Sequence, residues 1–128
     1  MNIETRRNLF SILTLSALLL FSHIIALKLY LYWTTWWADL INHFLGGAIL
    51  VLIFSLIFPT LNRLPSYTRF GALFALVFAS GVAWEMFELG FHLTFVSDNE
   101  YLKDTSIDLV MDMLGMTSSY QYFLKKAK

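Results

Sequence analysis

Residues 9–27 and 40–58 each run for 19 positions without a formal charge. A helix needs about 20 largely apolar residues to cross the hydrocarbon of a bilayer. A backbone in lipid must also satisfy its own polar groups, which leaves helices or closed barrels as spanning structures. Two runs of this length therefore predict an all-α, polytopic membrane protein. Composition agrees, with 58% of residues apolar and only 14% charged, whereas soluble domains carry about one quarter charged residues. Nine basic residues balance nine acidic ones, so no basic surface offers itself to nucleic acid, and that partner class is set aside. The absence of cysteine removes disulfides, a thiolate nucleophile and any Cys-type zinc site.

A third apolar run starts at Phe70 and continues through Glu85 and Glu88 to about Val96, while Pro59 ends the second run. The fourth segment, residues 104–124, is interrupted by Asp108 and Asp112 and carries Ser118, Ser119 and Gln121. Hydropathy does not decide whether it crosses; charge placement does. With four crossings and a cytoplasmic N-terminus, Arg6, Arg7, Arg63, Arg69, Lys125, Lys126 and Lys128 lie inside, and only Lys28 and Lys103 lie outside. That is the bias cytoplasmic loops show. The expected architecture is one bundle over residues 1–128, with transmembrane helices at about 9–31, 38–59, 70–96 and 104–124. Both termini are cytoplasmic and the connections short. Tyr30, Tyr32, Trp33, Trp36 and Trp37 supply an interfacial aromatic belt. The first run is too long for a signal peptide, and no small-x-small cleavage site follows it.

Polar residues in these segments share one level. At ~1.5 Å of rise per residue, Asp39, His92 and Asp104 fall nearest the outer surface, then His43 and Asp108, then Glu88, Asp112, Glu85 and His23. The inner halves hold no ionisable group. Helical phase puts Asp39, His43, Gly46 and Leu50 on one face. Gly81, Glu85, Glu88 and His92 share a second face, and Asp104, Asp108, Asp112, Gly115 and Ser119 a third. Three polar stripes at matched depth predict a common cavity. On the other side of the third segment, Gly71, Ala75, Ala79 and Ala83 form a four-residue ladder of small side chains. Such ladders let helices approach closely in lipid. The preferred expectation is packing within the bundle, around a central third helix; the alternative is a homodimer.

A charged side chain at mid-membrane costs about 2.5–3.5 kcal/mol, so Glu85, Glu88, Asp108 and Asp112 left bare would together cost on the order of 10 kcal/mol. Protonation, a water-filled pocket or a bound cation would relieve this. Carboxylate and imidazole ligands suit a divalent ion such as Mg, Mn, Fe or Zn. Asp39, His43, Glu88, His92, Asp104, Asp108 and Asp112 are the candidate ligands, and Glu85 the candidate general base. His23 is expected to be packed or hydrogen-bonded, Asp98 and Glu100 to be solvated, and Met111, Met113 and Met116 to serve packing.

The order of these motifs resembles the YjdF-like family of small bacterial membrane proteins. The residues that carry it are Asp39-Leu-Ile-Asn-His43-Phe44 with Gly46-Gly47, Trp84-Glu85-Met-Phe-Glu88, and Asp104-Thr105-Ser-Ile-Asp108 with Gly115. The last segment is also similar to the VanZ-like family, through Asp112-Met-Leu-Gly115. The resemblance implies a bacterial envelope setting, in the inner membrane, and no established reaction. Three functions stay open: a metal-dependent enzyme acting on a lipid-linked or envelope substrate, a proton or divalent-ion transport element, and a non-enzymatic assembly protein whose polar cluster is structural. Membrane lipids are the expected surroundings in each.

Overall fold

The computed structural model describes residues 3–91, 93 and 100–125. The described chain is helical, with no strand among those residues. Four long helices carry it: α1 (Ile3–Lys28), α3 (Ala38–Ile57), α4 (Ser66–Phe91) and α5 (Tyr101–Ser119). A single-turn helix, α2 (Leu31–Thr34), joins the first two, and a 3-10 turn (Pro59–Arg63) joins α3 to α4. A π turn (Tyr120–Leu124) ends α5. Helices α1, α3 and α4 are long and apolar enough to cross a membrane. The acids of α5 lower its hydropathy below theirs, although its length matches.

Helix ends differ from the expected ones for local reasons. The first helix begins at Ile3, because nothing in Glu4–Asn8 breaks it, and ends at Lys28 instead of 31. Tyr30 there adopts a left-handed backbone, φ 55°, which turns the chain back into α2. The second helix stops at Ile57, just before Pro59. The third begins at Ser66, directly after Pro65, and is described to Phe91; residue 92 and residues 94–96 of the expected span lie outside the described residues.

Neighbours in sequence run antiparallel. Ser22 meets Asn42, Gly81 meets Asp112, and Arg69 meets Leu124. Arg7 donates to the Phe123 carbonyl at 2.7 Å, so the first and last described turns lie at one end. Helix α3 is central: it packs on α1, α4 and, most extensively, α5. This corrects the expectation of a central third helix. Packing of the small-residue ladder within the bundle is also corrected, since Gly71, Ala75, Ala79 and Ala83 are all exposed. The inward stripe of α4 is Arg69, Leu73, Val77, Gly81 and Glu85. It wins the interior because Leu73 and Val77 bury more apolar surface than alanines would, and because Arg69 and Glu85 find polar partners only there.

The close approach in the fold uses other glycines. A β-carbon on Gly47 would overlap the Asp112 carbonyl, and one on Gly115 would overlap the Phe44 carbonyl. Side chains absent at these two positions let α3 and α5 touch backbone to backbone. Toward the end that holds the first and last described turns lies the apolar core: Val51, Leu52, Leu73, Val77, Met116, Tyr120 and Leu124, with Ile12 and Leu15 against it. Toward the other end the interior turns polar.

Candidate functional site

Helices α3 and α5 both begin at the polar end, with Asp39 and Asp104 in their first turns. A helix N-terminus carries partial positive charge and unsatisfied N–H groups, so it suits acids at these positions. One turn further in stand His43 and Asp108, and two turns in stands Asp112. Helix α4 arrives from the opposite direction and brings Glu85 to the same level.

His43 is the hub of this cluster. Its Nδ1 lies 3.4 Å from Asp112 Oδ1. Its Nε2 lies 3.8 Å from Glu85 Oε1 and 4.0 Å from Asp39 Oδ2. His43, Glu85, Asp108 and Asp112 are buried, while the Asp39 side chain keeps 32% of its surface open. Asp39, His43 and Asp108 each offer one ligand atom, and these three atoms lie within 4.8 Å of one another. Glu85 is anchored by Thr105 Oγ1, which donates to Oε2 at 2.8 Å; the Tyr101 hydroxyl donates to the Glu85 carbonyl at 3.1 Å. Two oxygens of this cluster remain buried without a hydrogen-bond partner, Glu85 Oε1 and Asp108 Oδ1. An unpaired buried carboxylate oxygen is expensive, and its natural complement is a cation or a donor.

Asp112 is held by glycines. A β-carbon on Gly81 would come within 2.5 Å of Asp112 Oδ2, and one on Gly46 would lie 3.9 Å from Oδ1. With Gly47 under its backbone, the residue is set against two positions, 47 and 81, where a β-carbon would crowd it.

The other candidates sit apart from the three-atom group. Glu88 is half-buried on α4 and accepts a hydrogen bond at 2.9 Å from Trp84 Nε1, one turn away on its own helix. Asp104 is half-buried at the mouth. His92 and Asp98 lie outside the described residues. Glu100 is exposed and pairs with Lys103 at 3.7 Å. Met116 is in the core and Met113 packs against it. Among the described residues, no lysine or arginine reaches the cluster; Lys28 and Lys103 are exposed.

A neighbouring polar group escaped the sequence reading. Ser22 donates to Asn42 Oδ1 at 2.5 Å, Asn42 donates to the Tyr32 hydroxyl, and that hydroxyl meets His23 Nδ1 at 2.7 Å. Tyr32 therefore turns inward while Tyr30, Trp33, Trp36 and Trp37 stay exposed as a belt would. Burial, then the charges of Asp39 and Glu88, push the Tyr32 phenol up to about 12, so it remains a neutral hydroxyl. One clue was present: Asn42 interrupts an apolar helix one residue before His43. At the opposite end Arg69 is buried, donating to the Leu124 carbonyl at 2.7 Å and to the Tyr120 hydroxyl at 3.3 Å. Its side chain serves the fold as well as the loop charge bias.

No curated protein and no solved structure matches the chain. A family model does match it: over residues 4–126, the chain belongs to the family described as Predicted membrane protein (DUF2238).

Proposed function

We propose that this membrane protein binds a divalent metal ion in the outer half of the bilayer, held by Asp39, His43 and Asp108 with Glu85 beside them. The observation that carries this reading is the pair of unpartnered buried oxygens, Asp108 Oδ1 and Glu85 Oε1, next to three ligand atoms within 4.8 Å. Asp108 offers an oxygen where no protein donor meets it, and a hard cation would satisfy it. Glu88 and Asp104 form the acidic mouth, and His92 is the remaining candidate of the sequence stripe that holds Glu85 and Glu88.

Orientation follows the charge bias, with both termini cytoplasmic, α5 as the fourth crossing, and the site toward the exterior of a bacterial inner membrane. The bound ion would polarise a phosphoryl or carbonyl oxygen of a lipid-linked or envelope substrate, or activate water, with Glu85 taking the proton. The backbone contact of α3 and α5 at Gly47 and Gly115 leaves no passage between these two helices at the level of Asp112, which supports a closed site over a through-path.

Elemental analysis of purified protein tests the reading, after reconstitution with Mg, Mn, Fe and Zn in turn. Wild type and Glu88→Gln retain about one ion per chain, and Asp108→Asn loses it while its helical circular dichroism persists. Wild type that retains none of the four ions overturns the proposal.

A further inference from the structure

Resting on the reading above, we infer that the site prefers a d-block divalent ion to magnesium or calcium, because Asp112 fixes the His43 ring so that Nε2 faces the ligand set. The two ring nitrogens have different surroundings. Nδ1 faces Asp112 Oδ1 at 3.4 Å, while Nε2 lies on the side of Asp39 and Glu85. In the neutral ring the proton sits on the nitrogen nearer a carboxylate, which is Nδ1. Nε2 lies 3.8 Å from Glu85 and 4.0 Å from Asp39, beyond hydrogen-bond reach, so the lone pair is on Nε2. Carboxylate partners of this kind orient metal-binding histidines and raise their basicity.

The placement of Asp112 is built into the backbone. Gly81 leaves room for its Oδ2, and Gly47 admits its carbonyl. No other part of the described cluster uses Asp112: the three-atom ligand group is Asp39, His43 and Asp108. Asp112 is thus a positioning residue, acting through the imidazole. His23, the other described histidine, is engaged with Tyr32. With one oriented imidazole among carboxylates, the site offers a ligand that zinc, iron or manganese accepts readily; magnesium and calcium favour oxygen throughout.

Chelator-stripped full-length protein in detergent is titrated with Zn(II), Mn(II) and Mg(II), and the metal-free protein is labelled with 15N-histidine for NMR. We expect zinc or manganese to bind roughly tenfold or more tighter than magnesium. Asp112→Asn should weaken that binding about 10–100-fold and leave magnesium binding unchanged. The metal-free His43 ring should carry its proton on Nδ1. Magnesium competing on equal terms with zinc and manganese overturns the inference while leaving a metal site in place. A metal-free ring protonated on Nε2 alone also overturns it, and that spectrum is read on wild type whether or not Asp112→Asn folds. Failure of every ion to bind removes the inference together with the proposed function.

Discussion

Gly115 lies so close to the Phe44 carbonyl that a β-carbon on it would share its space. Gly47 stands in the same relation to Asp112. These two contacts fix the separation and the register of α3 and α5, and so set the level at which His43 meets Asp112. A site with ligand atoms within 4.8 Å of one another depends on that register.

Gly115→Ala therefore drives the helices apart. Overpacking costs about 1–3 kcal/mol, more where backbone is the obstacle, and the melting temperature in detergent should fall by about 5 °C or more. Gly71→Ala is the contrast. Nothing lies within 4 Å of the added carbon, and alanine gains about 1 kcal/mol of helix propensity over glycine, so stability should hold or rise. Equal losses in the two variants would mean that the outward ladder of α4 is packed against something after all.

Arg69 joins α4 to the last described turn, as donor to Leu124 and Tyr120; the Tyr120 hydroxyl in turn donates to the Ser66 carbonyl at 2.9 Å. Cations near a helix C-terminus also complement its dipole. Arg69→Met leaves a buried carbonyl without its donor, at a cost of about 1–3 kcal/mol. Amide hydrogen exchange at residues 120–125 should quicken, while exchange around His43, at the far end, should not. Acceleration at both ends would show that the clamp supports the whole helix bundle.

Tyr32→Phe removes the hydroxyl shared by Asn42 and His23. The Asn42 amide is only partly buried, so leaving it unmet costs at the low end of about 1–3 kcal/mol, and thermal stability should drop modestly. Metal stoichiometry should not change, since Tyr32 is outside the three-atom group. Loss of the ion in this variant would make Tyr32 part of the site.

The sequence made the helices and the polar level readable for one reason: residues that lipid rejects must sit on inward stripes, and spacing reveals stripes. Asp108, Asp112, Gly115 and Ser119 are indeed buried on one face of α5. Partner choice was not readable in the same way. Helix α4 carries two four-residue stripes, and nothing in its own sequence says that Leu73 and Val77 go in while Ala75 and Ala79 go out. That choice depends on what α3 and α5 present. Arg69 read as a loop charge because its acceptors, a carbonyl and a phenol, come from a helix more than fifty residues away. Tyr32 read as belt because the left-handed turn at Tyr30, which points it inward, follows from no glycine or asparagine.

The side of the membrane on which the site opens is open to a direct test, because the chain contains no cysteine. Single cysteines can be placed at four exposed positions: Lys28 and Glu100 at the polar end, Arg63 and Tyr122 at the other. With the charge bias read as above, a membrane-impermeant maleimide added to intact spheroplasts labels Lys28→Cys and Glu100→Cys. Arg63→Cys and Tyr122→Cys react only after permeabilisation. The reverse pattern would put the acidic mouth on the cytoplasmic side and withdraw any outer-leaflet substrate. Labelling of Tyr122→Cys together with Glu100→Cys from outside would mean that α5 does not cross. The buried Asp108 and Asp112 would then have to be explained without a bilayer around them.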